Sequence, residues 1–138
     1  MDADATLRDV AAINTALLIE DNADVAYLLQ HMLQRDGFAV QTIGNGRDAQ
    51  QYLAESKATD VVILDLMLPY VDGYELLAQI RESATWRYVP VVVLSGKVSE
   101  RDIVRAIELG ADDFVTKPYK PLELSARIRR SMNNAKRR

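Results

Sequence analysis

Three acids, one hydroxyl and one amine recur at the same kind of place in this sequence: each stands at the end of a short aliphatic run. Glu20 and Asp21 close "ALLIED", Asp65 closes "VVILD", Ser95 closes "VVVLS" and Lys117 closes "FVTK". A carboxylate among aliphatic neighbours is costly unless something pairs with it. Three that cluster repel one another unless a cation lies among them. An all-oxygen donor set without His or Cys favours Mg²⁺ or Ca²⁺ over zinc. Mg²⁺ takes one or two carboxylates and keeps positions for water and a phosphate oxygen. A lysine and a hydroxyl nearby would hold the remaining oxygens of a phosphoryl group. One carboxylate can itself be the nucleophile and form an aspartyl phosphate. Asp65 is the best placed for that role, because it is central and follows one of the most uniformly apolar runs.

Taken singly, each residue has a plainer use. An Asp after a strand is often a helix cap, a Ser there is usually a turn residue, and a Lys before Pro is usually solvated. A joint role needs all five to meet, which depends on the elements that carry them. "ALLIE" (residues 16–20) has the composition of a buried strand. Val25, Leu28, Leu29, Met32 and Leu33 then share a helical face, with Asn22 as N-cap and Gly37 as the stop. "FAVQT" is a second, less apolar strand suited to an edge. A weaker helix covers residues 47–55, with Ala49, Tyr52 and Leu53 inward. "VVILD" and "VPVVVL" are apolar on both faces, as in the centre of a parallel sheet. Between them, Asp72 and Glu75 form a D-x-x-E capping box opening a helix that buries Leu76, Leu77 and Ile80. Ser99 with Asp102 starts another helix, with Ile103, Ala106 and Ile107 inward and Gly110 as its stop. "DDFVT" is the fifth strand, and Pro121 suits the first turn of the last helix.

Five strands alternating with five helices predict an α/β fold with right-handed crossovers: a doubly wound, five-stranded parallel sheet. In such sheets ligands bind beyond the carboxyl ends of the strands. Glu20, Asp21, Asp65, Ser95 and Lys117 all fall on that one edge.

Composition sets the remaining bounds. The chain has 138 residues, net charge −3 and no cysteine. One domain is expected, with residues 1–15 as an N-terminal extension, 16–134 as the domain, and 135–138 as a basic tail or linker start. The balance of charge gives no general pull toward nucleic acid or anionic membrane. Disulfides and Cys-ligated zinc are excluded. No apolar run approaches the roughly 20 residues of a membrane span. The acidic start "MDADATLRDV" lacks a signal peptide's basic and apolar regions, so a cytoplasmic location is expected.

The pieces "LLIEDN", "ILDLMLPYVDGYELL", "VVVLSGK" and "GADDFVTKPY" together resemble the receiver domain of two-component response regulators, over residues 15–132. The resemblance implies a flavodoxin-like sheet of order 2-1-3-4-5. It implies that Asp65 is the phosphoacceptor, served by a sensor histidine kinase or phosphotransfer protein. Asp21 would ligate Mg²⁺ directly, Glu20 through water and Met67 through its backbone carbonyl, with Mn²⁺ as an alternative ion. Ser95 matches the switch hydroxyl and Lys117 the lysine that pairs with the acyl phosphate, followed by a cis bond to Pro118. Phe114 takes the switch aromatic position, where Tyr is commoner, so any hydroxyl-dependent readout is missing. Phosphorylation would remodel the face made by helix four, strand five and helix five. Within the family, "GADDF" and "ELSARIRR" resemble the winged-helix regulators, whose receivers often form homodimers through that face. Asp113, Glu123 and Arg127 match their salt-bridge pattern, whereas Ile103 replaces an expected basic residue. Such a receiver is a signalling switch rather than a metabolic enzyme, catalysing only its own phosphorylation and slow dephosphorylation. It controls a downstream effector domain or protein.

Two other classes compete. A pseudo-receiver would be a protein-binding scaffold of the same fold without phosphorylation, and the intact five-residue set argues against it. A flavin-binding protein or a phosphatase of similar layout is the other; haloacid-dehalogenase-type enzymes need a second Asp at position 67, where Met67 cannot act as an acid. Several further features carry plain readings. His31 faces solvent on the first helix. "GNGRD" is a turn and not a dinucleotide site. Tyr70, Trp86 and Tyr88 sit in connecting segments and serve loop packing or partner contacts. The tail "RIRRSMNNAKRR" lacks the pattern of a DNA-reading helix. Residues 1–15 form a short helix through Leu7, Val10 and Ala11 or remain disordered. Met67 and Lys97 flank the route of attacking water and so set the phosphate lifetime.

Overall fold

The computed structural model describes residues 13–96 and 99–138. Five strands, β1 (Asn14–Ile19), β2 (Phe38–Ile43), β3 (Val61–Leu64), β4 (Val91–Ser95) and β5 (Asp113–Thr116), alternate with five helices. The helices are α1 (Ala23–Arg35), α2 (Gly46–Glu55), α3 (Gly73–Glu82), α4 (Glu100–Glu108) and α5 (Pro121–Ala135). The strands form one sheet of order β2-β1-β3-β4-β5, and every pairing is parallel. This is the flavodoxin-like arrangement expected from the alternating pattern and the motifs.

The sheet separates two cores, because successive side chains on a strand point to opposite faces. Ala16 and Leu18 of β1 face Leu29, Leu33 and the α5 residues Leu124 and Ile128. Leu17 and Ile19 face the other layer, with Ala49, Leu76, Leu77, Ile80 and Ala106 of α2, α3 and α4. Trp86, in the segment after α3, is fully buried in that second core, as a packing residue should be, whereas Tyr70 and Tyr88 are exposed. His31 is exposed on α1, where it meets the Tyr27 ring edge-on at 4.4 Å.

Two helix-face assignments need correction. Leu28 is 62% exposed and Ile107 56% exposed. Each sits one residue, or about 100° of helix, before or after a fully buried position, Leu29 or Ala106. The apolar stripe is narrower than the residue types suggest. The capping predictions held in different degrees. Asn22 caps α1 by accepting from the Asp24 and Val25 amides, and Ser99 with Asp102 forms both halves of a capping box on α4. At α3 only one half is present among the described residues: Asp72 accepts from the Glu75 amide, while Glu75 is exposed. Pro121 opens α5 as expected. The predicted helix through Leu7, Val10 and Ala11, and the role assigned to Lys97, lie outside the described residues.

Candidate phosphoacceptor site

Ladder bonds carry the sheet one residue past the strand ends and fix the rim. The Glu20 amide donates to Ile43 O at 3.0 Å, the Asp65 amide to Ile19 O at 2.9 Å, and the Lys117 amide to Ser95 O at 2.8 Å. Backbone pairing alone therefore brings residues far apart in sequence to one edge. The side chains complete the convergence. Carboxylate oxygens of Glu20, Asp21 and Asp65 all lie within 4.8 Å of one another. Lys117 Nζ is 2.6 Å from Glu20 Oε1 and 3.2 Å from Asp65 Oδ2. Asp65 Oδ1 accepts the Met67 amide at 2.9 Å. The Lys117–Pro118 peptide is cis.

The electrostatics follow from burial. Glu20 and Asp65 are buried, and Asp21 is exposed. Burial, reinforced by the adjacent Asp65 carboxylate and opposed by Lys117, pushes the Glu20 carboxyl up to about 7. Burial disfavours the Lys117 ammonium, yet its bond to Glu20 and the charge of Asp65 outweigh that, and its pKa rises above the ordinary lysine value. One ammonium thus faces three carboxylates. An excess of anionic oxygen with no nitrogen or sulfur donor fits a hard divalent cation such as Mg²⁺.

Ser95 ends β4 and is fully buried, and its Oγ has no hydrogen-bond partner among the described residues. A buried hydroxyl left unpaired costs free energy. Phe114 lies on β5 opposite Val93 and packs, half-buried, against the core under α2, α3 and α4. Met67 is 69% exposed, and its backbone amide is the group that bonds Asp65. Asp113, Glu123 and Arg127 meet within the chain: Arg127 bonds Asp113 at 3.2 Å and Glu123 at 3.1 Å.

Sequence reasoning missed two groups. Tyr70 in "LPYVDG" has a φ of 73° and stacks under Arg47; the Pro-x-x-Asp-Gly turn around it was the available signal. Arg81, in the middle of the amphipathic helix α3, is partly buried, and no spacing rule distinguishes it from a solvated arginine.

Comparison with known proteins agrees with this geometry. The response regulator receiver domain model matches residues 16–129. The chain is 39% identical over 121 residues to regulatory protein VanRc of Enterococcus gallinarum, covering 88% of this chain and 51% of that protein. It is 39% identical over 113 residues to the alkaline phosphatase synthesis transcriptional regulatory protein PhoP of Bacillus subtilis, covering 82% and 46%. The chain therefore spans about half the length of these curated relatives. Among solved structures, the signal receiver domain of a histidine kinase from Syntrophus aciditrophicus superposes with a TM-score of 0.81 at 34% identity, covering 91% of this chain and 94% of that one. The receiver domain of a sensor histidine kinase from Pseudomonas aeruginosa, with magnesium coordinated in its active-site cleft, superposes with a TM-score of 0.80 at 28% identity, covering 88% and 99%.

The fold and the acidic rim are those of a two-component receiver domain. The chain belongs to the response regulator receiver domain family. No helix among the described residues is long and apolar enough to cross a membrane.

Proposed function

We propose that this domain accepts a phosphoryl group on Asp65 from the phosphohistidine of a partner kinase or phosphotransfer protein and so switches its α4–β5–α5 face. The observation that carries the reading is the buried Asp65 carboxylate, with Lys117 Nζ at 3.2 Å and the Met67 amide at 2.9 Å. In the transfer, an Asp65 carboxylate oxygen forms the new O–P bond as the donor's N–P bond breaks. The electron pair of the broken bond stays on the imidazole nitrogen. Lys117 offsets charge on the phosphoryl oxygens throughout, because it is held at the site before the donor arrives.

Mg²⁺, or Mn²⁺, would be held by Glu20, Asp21, Asp65 and the Met67 carbonyl and would supply further positive charge beside those oxygens. The buried, unpartnered Ser95 Oγ supports its role as the hydroxyl that bonds the new group. Its movement inward would leave space for Phe114, and the β5 surface would change with it. Phosphate acts here as a population shift, favouring the state that binds it better.

The surface so switched carries Asp113, Arg127, Arg130 and Glu123, already paired within the chain. A homodimer through this face would lack the pair that Ile103 cannot make. The similarity to transcriptional regulators supports an effector domain or protein as the output and a cytoplasmic setting.

The test is intact-mass measurement after incubation with acetyl phosphate and Mg²⁺. One added phosphate on the wild type and none on Asp65→Asn is expected. No adduct on the wild type would favour a scaffold of the same fold. Light scattering with and without beryllofluoride, a phosphoryl mimic, reports whether the switched state dimerises.

A further inference from the structure

Among the described residues, Tyr70 is the only one other than glycine with a positive φ, 73°. This is the left-handed region that side chains with a Cβ avoid, and such strain persists only where the surroundings enforce it. Burial does not enforce it here, since Tyr70 is 73% exposed. Locally a three-residue turn holds it, the Val71 amide donating to Pro69 O at 3.0 Å, and the ring is held by Arg47, whose guanidinium carbon lies 4.3 Å from the ring centroid, within cation–π range.

Arg47 belongs to the first turn of α2, and that turn grips the loop at two further points. The Gly46 amide donates to Pro69 O at 3.2 Å. A Cβ on Gly46 would stand 2.3 Å from Val71 O, so the helix backbone rests directly on the loop. Pro69, Tyr70 and Val71 are thus held one after another by α2. They follow Met67, whose amide meets Asp65 Oδ1 at 2.9 Å. Met67, Pro69 and Tyr70 are exposed, while Leu66, Leu68 and Val71 pack on the core under α2, α3 and α4, so the loop is anchored at alternate residues and its exposed ones rely on contacts such as the Arg47 stack to stay closed.

We propose that Arg47 and Tyr70 are positioning residues for the Asp65 site. Their stack holds the loop of residues 66–72 so that the Met67 backbone, amide and carbonyl, is presented to the reacting carboxylate and its metal. The inference rests on the proposed role of Asp65. The pair touches neither phosphate nor metal, and it acts through the loop.

The test uses the metal-free chain and then Mg²⁺ alone, with Arg47→Ala, Arg47→Lys and Tyr70→Leu. The last keeps a Cβ and apolar bulk but loses the aromatic face. Two quantities are read by NMR: hydrogen exchange at the Met67 amide without metal, and the Mg²⁺ dissociation constant from amide shifts. In Arg47→Ala and Tyr70→Leu, Met67 exchange is expected to rise about tenfold while the Ile63 amide of β3 stays at the wild-type rate. Mg²⁺ affinity is expected to fall about tenfold, the size of effect seen when groups that orient metal ligands are removed. Arg47→Lys keeps the cation and should fall between. Changes below about threefold in either quantity in both variants overturn the proposal: unchanged exchange means the stack does not hold the loop, and unchanged affinity means the loop does not position the site. Neither readout needs phosphate transfer. A wild type that binds Mg²⁺ but takes no phosphate from acetyl phosphate would overturn the proposed function by a readout separate from loop exchange and metal affinity, so the two failures are distinguished.

Discussion

Lys117 is bound more closely to Glu20 than to Asp65, at 2.6 Å against 3.2 Å. The metal-free site is therefore organised around an ion pair that a divalent cation would have to share or displace. Glu20, pushed up to about 7 by burial and by Asp65, is the group whose charge decides how readily that happens.

The first prediction is a dependence of Mg²⁺ affinity on pH. A metal needs the deprotonated carboxylate, so protons compete with it below about pH 7. Affinity is expected to fall by up to about tenfold per pH unit as pH drops from 7 toward 5. Glu20→Gln should remove most of that slope while lowering affinity at pH 8. Calorimetric titration at several pH values measures both.

The same shift has a consequence for stability, of opposite sense. The folded-state value lies above the ordinary glutamate value of 4.5, so the native domain holds the extra proton in the window between them. The stabilisation linked to Glu20 is fully present below 4.5 and is lost as pH rises through about 7. Without metal, wild-type Tm minus Glu20→Gln Tm should shrink as pH goes from 5 to 8. Thermal scans in chelator measure this. A difference that grows with pH would mean that Glu20 is stabilised as a carboxylate.

A third prediction concerns Lys117→Ala. The variant leaves two buried carboxylates facing each other without their ammonium. Loss of hydrogen bonds to charged groups should cost about 2 kcal/mol of metal-free stability. Mg²⁺ replaces the missing positive charge, so its affinity should hold or rise, and added Mg²⁺ should recover most of the lost stability. On the proposed function, phosphorylation should then no longer change the α4–β5–α5 surface, because Lys117 would be the link between the acyl group and β5. Urea titration with and without Mg²⁺ tests the first part, and amide shifts in the presence of beryllofluoride test the second.

How far the sequence carried these arguments varies with the kind of interaction. The strands and their edge were legible because both depend on local pattern: apolar runs form the central strands, and a parallel sheet puts all their carboxyl ends together. Glu20, Asp21, Asp65 and Lys117 meet for that reason alone. The partner preference within the site was not legible. Whether Lys117 favours Glu20 or Asp65 depends on differences of tenths of an ångström. Leu28 and Ile107 were placed inward because residue type was weighed over angular position, and the helices bury narrower stripes than their leucines and isoleucines cover. The Arg47–Tyr70 stack joins the first turn of α2 to the loop after β3 through side chains that carry no periodic signal. Motif resemblance also favours what relatives share over what this chain does differently.

A fourth prediction follows from the closeness of α3 to the site loop. A Cβ on Gly73 would lie 2.4 Å from Leu66 Cα and 2.7 Å from Asp65 O. These are backbone atoms and cannot swing aside. Gly73→Ala should destabilise the fold by about 1–3 kcal/mol, the range for forced overpacking. Because the displaced backbone is that of Asp65 and Leu66, phosphorylation by acetyl phosphate should slow as well, even where the variant is fully folded. Urea unfolding gives the first quantity and the rate of mass gain the second.

The last prediction separates stability from function at the opposite end of the sheet. Arg81 donates to Gly110 O through Nε at 2.9 Å and Nη2 at 2.6 Å. It also donates to Arg87 O at 3.0 Å, Val89 O at 2.6 Å and Asp112 Oδ2 at 2.8 Å. One guanidinium thereby joins α3 to the segments that lead into β4 and β5. Asp112 Oδ2 in turn accepts the Val91 amide at 2.7 Å. Burial lowers the Arg81 pKa against the pull of Asp112, though a guanidinium stays charged at any relevant pH. Arg81→Met keeps an apolar stem over the same surface and removes all five bonds, leaving partly buried carbonyls without donors, while Asp112 keeps the Val91 amide and Arg138. The expected cost is about 3 kcal/mol, read from urea unfolding followed by the fluorescence of Trp86, the single tryptophan and fully buried. No bond of Arg81 reaches the rim of Glu20, Asp65 and Lys117, so phosphorylation of the folded fraction should proceed at the wild-type rate. A slowed rate at full folding would mean that the two ends of the sheet are coupled through β4 and β5.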